Sequence, residues 1–173
     1  FYKVNIDKGS PILIKGSPNL PKLNTSIIIP DNKQMSIYIR DSRYIEIDDI
    51  NIIPSKGNFS RDIDPSTVPY EFSEVYEQDS FYPQKIAQLG EPYILRGLRG
   101  QGIIVNPIQY NPVTNVLRVY SQITVESYKS DSYTSSRVVR KQKKKNIRER
   151  KVDREFSQIY ANKFINYDST RYE

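Results

Sequence analysis

The sequence predicts an all-β domain, an antiparallel β-sandwich with a basic linker and a short C-terminal helix appended. Three observations lead there. Short runs rich in Ile, Val and Tyr recur through the first 128 residues, bounded by Pro, Gly, Asn or Asp. No helical pattern alternates with them, which disfavours a parallel α/β sheet. The 14 tyrosines fit strands, where a pleated, half-buried surface accommodates them, better than they fit a base-stacking platform.

In order, the expected strands are SIIIP (26–30), MSIYI (35–39), RYIEIDDINII (43–53), PYILRG (92–97), GIIVNPIQY (102–110) and VLRVYSQITVESY (116–128). In the third, Tyr44, Glu46 and Asp48 oppose Ile45 and Ile47, and then Ile50 and Ile52 change the phase. Asn111-Pro112-Val113-Thr114-Asn115 has turn chemistry, so 103–110 and 116–126 are expected to form a hairpin. Phe156, Ile159, Tyr160 and Phe164 follow at helical spacing, with Asp153 placed to cap a helix over 154–166. The expected organisation is therefore a body at 1–128, a basic linker at 129–153, and a helix with a polar tail at 154–173.

The absences narrow the chemistry. The chain has no Cys, His or Trp, so it offers no zinc site of the usual kind, thiolate nucleophile or imidazole base. Neither a Ser-His-Asp nor a Cys-His arrangement can be assembled from it. Paired carboxylates remain available in principle, among 20 Asp and Glu. The expectation is a non-enzyme without metal or cofactor. No apolar run is long enough to cross a membrane. A start at Phe1 rather than Met suggests a trimmed piece of a longer, exported protein, secreted or in transit through a periplasm.

The net charge of +6 is unevenly placed. RVVRKQKKKNIRERK (137–151) holds nine of the 26 basic residues and one of the 20 acidic ones, so the remaining 17 and 19 leave the rest near −2. This strap, with Arg140, Lys141, Lys143, Lys144, Lys145 and Arg148, has three readings: a solvated loop, a site for early nicking by a basic-specific peptidase, or a surface for nucleic acid or another polyanion. The body's charge argues against nucleic acid as a partner.

One loop stands out. PSKGNFSRDIDPSTVPY (54–70) has neither helical nor strand periodicity, and sets Arg61 among three prolines and a glycine. Taken alone, Arg61 reads as a solvated loop residue pairing with Asp62 or Asp64.

Five stretches together carry a resemblance: KGSPNLP (15–21), IIPSKGNFSRDIDPSTVPY (52–70), FYPQKIAQLGEPYILRGLRGQ (81–101), NPIQYNPVTNVLRVYSQITVE (106–126) and FSQIYANKFINYDSTRY (156–172). In this order they resemble the N-terminal prodomain of gingipain-type cysteine peptidases, peptidase family C25, whose members are secreted and Arg- or Lys-specific. The resemblance lapses over 129–152. It implies a β-sandwich-like prodomain that holds the peptidase latent and assists its folding. The partner implied is the cognate catalytic domain, joined in cis before cleavage and held non-covalently afterwards, with no nucleic acid, membrane or small-molecule substrate involved.

The resemblance also assigns residues. Arg61, flanked by Ser60 and Asp62, aligns with the side chain that family prodomains place in the specificity pocket of the enzyme. A pocket carboxylate can grip a guanidinium through two parallel hydrogen bonds that an ammonium cannot reproduce. Pro54, Gly57, Pro65 and Pro69 are expected to stiffen the loop so that the bond after Arg61 escapes attack. Arg171-Tyr172 aligns with the maturation junction. Tyr93 to Arg96 and Arg99-Gly100-Gln101 also match the family but read as strand and turn positions, and Gly9 and Gly16 as ordinary glycines of a frayed start. The competing function is a carbohydrate-binding or adhesion module using exposed tyrosines; it gives Arg171-Tyr172 no role.

Overall fold

The computed structural model describes residues 1–31, 33–130 and 156–168. Among the described residues seven strands form: β1 (Ser10–Pro11), β2 (Pro21–Ile28), β3 (Gln34–Ile47), β4 (Ala87–Leu95), β5 (Leu98–Val105), β6 (Ile108–Asn111) and β7 (Val116–Ser130). A 3-10 turn occupies Glu74–Glu77, and the helix α1 spans Ser157–Lys163. One sheet runs β1-β2-β5-β4 and the other β3-β7-β6. The expected all-β, sandwich-like architecture with one short helix is the one found.

The hairpin forms as its turn chemistry predicts. β6 and β7 are antiparallel in the register Ile108↔Val119 to Asn111↔Val116. Asn111 Oδ1 accepts the N–H of Val113, and Asn115 takes φ +57°, a backbone region that asparagine tolerates.

Elsewhere the strand bounds differ, for physical reasons. The run 102–110 is broken at Asn106-Pro107 and shared between the two sheets as β5 and β6, because proline has no N–H to give a ladder. The runs 35–39 and 43–47 are one strand, since Asp41 accepts from Gln122 Nε2 at 3.2 Å and the Arg43 carbonyl from Ser121 Oγ. Residues 48–53 leave the strand, with Asp49 at φ +59°, and contribute only an isolated bridge from Ile52 to Tyr2.

Two compact units share the chain. The first comprises Phe1–Leu23, Ile39–Ala87 and Val105–Val125. Its core is Ile12, Leu20, Ile52, Ile108, Tyr110 and Leu117, flanked by half-buried side chains that include Tyr76 and Tyr82. Arg118 lies over the rings of Phe81 and Tyr44 and holds Glu46 at 2.7 Å.

The second comprises Asn24–Tyr38, Gln88–Ile104 and the described part of the segment from Glu126 onward. Its core is Leu98, Tyr160 and Phe164. Arg99, one of the family-matching residues, is buried and donates through Nη1 to the carbonyls of Pro30 and Lys33, both at 2.6 Å. It lies in β5, a strand position as expected. The helix is shorter than the expected 154–166 and begins after Phe156 without a side-chain cap; Asp153 lies outside the described residues. Tyr160 and Phe164 are its buried face, whereas Ile159 is exposed, so the apolar stripe is narrower than its spacing suggests.

Candidate functional site

All of the loop around Arg61 belongs to the first unit, and its geometry starts at its two ends. Pro54 is buried and bridges to Pro18. Ser55 N–H donates to the Ser17 carbonyl at 2.7 Å, and Gly16 N–H donates to the Ser55 carbonyl at 2.9 Å. At the far end, both the N–H and the hydroxyl of Ser73 donate to the Gly16 carbonyl at 3.0 Å. Residues 15–17 therefore bind both feet of the loop. Lys15 adds an exposed ion pair to Glu71 at 2.7 Å.

This bracket depends on glycine. Gly16 is buried at φ +80°, and a Cβ there would meet the Ser73 Cβ at 2.9 Å. Gly57 sits at φ +83° with Lys15 Cβ 2.9 Å from where its own Cβ would be. Gly16 is thus no loose glycine of a frayed start, as the sequence suggested, but the residue that lets two backbone segments close on a third.

Within the loop, Lys56 Nζ donates to the Pro65 carbonyl at 2.7 Å and lies 4.4 Å from the centre of the Tyr70 ring. Asp64 Oδ1 accepts the Ser66 N–H at 2.9 Å, and the Asp64 carbonyl accepts from Thr67 through both N–H and hydroxyl. The Ser66 backbone and hydroxyl, with the Lys56 ammonium nearby, hold the Asp64 carboxyl below the ordinary aspartate range. Beyond Ser73 the chain enters the 3-10 turn, whose Tyr76 hydroxyl donates to the Ile52 carbonyl at 2.8 Å; burial raises that phenol's pKa. A hollow of about 580 Å³ opens beside the loop, with Ile6, Leu13, Lys56, Phe59, Pro65 and Tyr70 on its wall.

Arg61 stands at the outer end. The Ile63 N–H donates to the Ser60 carbonyl at 3.2 Å, which puts Arg61 and Asp62 at the two central positions of a tight turn. Ser60, Arg61 and Asp62 are all exposed. Among the described residues Arg61 makes no hydrogen bond or ion pair, and Asp64 is engaged with Ser66 and Thr67 instead. The pairing with Asp62 or Asp64 that the bare sequence suggests does not occur. An exposed cation on an ordered loop is available to a partner's carboxylate.

The family model for the C25 propeptide, Propeptide_C25, matches residues 1–171. The chain belongs to the C25 propeptide family. It is 38% identical to gingipain R2 of Porphyromonas gingivalis over 168 residues, which is 95% of this chain and 22% of that protein. It is 40% identical to gingipain R1 of the same organism over 159 residues, 91% of this chain and 15% of that one. A solved complex of P. gingivalis RgpB pro- and mature domains superposes with a TM-score of 0.78 at 34% identity, covering 94% of this chain and 78% of that one. The chain thus spans about a fifth of gingipain R2's length. As a C25 propeptide it is a non-catalytic region of a gingipain-type zymogen.

Other sequence-derived sites lie apart from this loop or outside the described residues. Arg171 and Tyr172 of the maturation junction, and Arg140, Lys141, Lys143, Lys144, Lys145 and Arg148 of the basic strap, all lie outside them. No helix among the described residues is long and apolar enough to cross a membrane. The residues that the sequence reading left out of the site are Gly16, Ser17, Lys56 and Ser73. The bracket had left a trace, because KGSPNLP matched the family alongside the loop it holds. Lys56 lies in the matching stretch 52–70 as well, but no periodicity marks a cation that turns back onto its own loop.

Proposed function

We propose that this propeptide keeps an arginine-specific, gingipain-type cysteine peptidase latent and assists its folding, with Arg61 occupying the pocket that selects the residue before the cleaved bond. The observation that carries this reading is the placement of an exposed arginine, unpaired among the described residues, on a turn whose loop is fastened at both feet. A guanidinium presented in this way meets a pocket carboxylate without first breaking an internal ion pair. The RgpB complex, in which pro- and mature domains are seen together, supports the peptidase domain as partner. Release follows cleavage after Arg171, and the protein is exported with its enzyme.

A substrate-like arginine must also survive. Attack on the carbonyl after Arg61 requires near-attack alignment, and a misplacement of about 1 Å costs on the order of a hundredfold in rate. The Ser60–Ile63 turn has to open before that alignment is reached.

The test is an inhibition titration of the chain against an arginine-specific C25 peptidase. Arg61→Ala is expected to weaken inhibition by about 30-fold or more, as for a hot-spot arginine contributing at least ~2 kcal/mol. Arg61→Lys, which keeps the charge and loses the fork, is expected to weaken it about tenfold. Undiminished inhibition by Arg61→Ala would move the inhibitory surface elsewhere on the molecule.

A further inference from the structure

We infer that Lys56 is the positioning residue that decides whether this loop behaves as an inhibitor or as a substrate. The inference rests on the reading of Arg61 given above and deepens it. Lys56 lies on the rising limb of the loop, five residues before Arg61. Its two contacts, the Pro65 carbonyl at 2.7 Å and the Tyr70 ring at 4.4 Å, both lie on the falling limb. A single side chain thus ties the limbs together across the Arg61–Asp62 bond.

The tie differs in kind from the other constraints on the loop. The bracket at residues 15–17 fixes the feet, and the Asp64 turn orders only the falling limb. With the feet alone fixed, the 17 residues between Ser55 and Ser73 would remain free to stretch. Lys56 shortens that span to the eight residues between itself and Pro65, which contain the Ser60–Ile63 turn and Arg61. Its donor is charged and its acceptor a backbone carbonyl, a stronger pairing than one between neutral groups. The ring beneath the ammonium adds a cation–π contribution.

Two consequences follow for the partner. A closed loop has less ordering cost to meet on binding, so Lys56 strengthens inhibition without touching the enzyme's pocket. The closed loop also resists the stretching that presents the bond for attack. In that attack the peptidase thiolate adds to the Arg61 carbonyl carbon, and the C–N bond breaks with its electron pair leaving on the Asp62 nitrogen, which takes a proton. Water then hydrolyses the thioester and restores the thiol. Loss of the tie therefore converts the loop from inhibitor toward substrate.

The test compares the parent chain with Lys56→Met, Lys56→Arg and Tyr70→Leu against an arginine-specific C25 peptidase. Three quantities are read: the inhibition constant, the rate of cleavage at Arg61–Asp62 by mass spectrometry, and the thermal midpoint of the free chain. Lys56→Met is expected to weaken inhibition about tenfold and to speed cleavage at that bond at least tenfold, with the midpoint little changed. Lys56→Arg, which keeps a charged donor, is expected to stay within about threefold of the parent on both. Tyr70→Leu should move both in the direction of Lys56→Met by a smaller factor, and serves alone if Lys56→Met does not fold. Parent-like inhibition and resistance in Lys56→Met, or in Tyr70→Leu where it stands alone, would overturn the proposal. So would a loss that Lys56→Arg fails to rescue. Arg61→Ala run alongside separates the two levels: if it still inhibits like the parent, the Arg61 reading has failed, whatever Lys56 does.

Discussion

Gly16 carries more of this structure than its size suggests. It gives one N–H to Ser55, takes two hydrogen bonds from Ser73, and does so at φ +80° with no room for a Cβ. Gly16→Ala is expected to cost about 1–3 kcal/mol of stability, from left-handed backbone strain together with the forced separation from Ser73. Urea unfolding measures this directly, and the same variant should inhibit less well. At this scale the sequence was legible only in part. Arg61 drew attention because prolines, a glycine and nearby aspartates framed it and because the family resemblance aligned there. Gly16 and Lys56 act through partners about 10 to 60 positions away, and neither a period nor a neighbouring residue announces such contacts.

The C-terminal segment after α1 shows the same limit among elements. The Ile165 N–H donates to the Ser26 carbonyl, and the Asn166 side chain pairs with both backbone groups of Ile28, accepting its N–H at 2.7 Å and donating to its carbonyl at 3.0 Å. One amide side chain thus acts as a short strand partner for β2. Asn166→Ala is expected to cost roughly 1 kcal/mol, given the exposure of these bonds, and to speed hydrogen exchange at the Ile28 amide. The hairpin of β6 and β7 was readable because its turn residues lie within it. The continuity of β3 was not, since Asp41, Ser42 and Arg43 look like a break until β7 supplies their cross-strand partners. Helix α1 was readable as an amphipathic run, but its length depended on packing that Ile159 does not share.

For the molecule as a whole, composition proved the surest guide: a chain without cysteine or histidine had little chemistry of its own, and its family role is non-catalytic. The loop's shape also belongs to the whole first unit rather than to residues 54–73. A synthetic peptide of those residues lacks Gly16 and Ser17, keeps Arg61, and has to order its backbone on binding. It is expected to inhibit at least a hundredfold more weakly than the full chain, measured in the same titration.

The bracket also imposes an order in time. Residues 15–17 leave the ribosome well before residues 55–73, and synthesis adds only about 5–20 residues per second. The receiving segment is thus already present when Ser73 emerges, whereas Val105–Val125, which completes the core of the same unit, is made last. Domains fold as units, so the bracket closes on its loop once this last segment has joined, and Arg61 is set in its turn by the folding of the whole first unit.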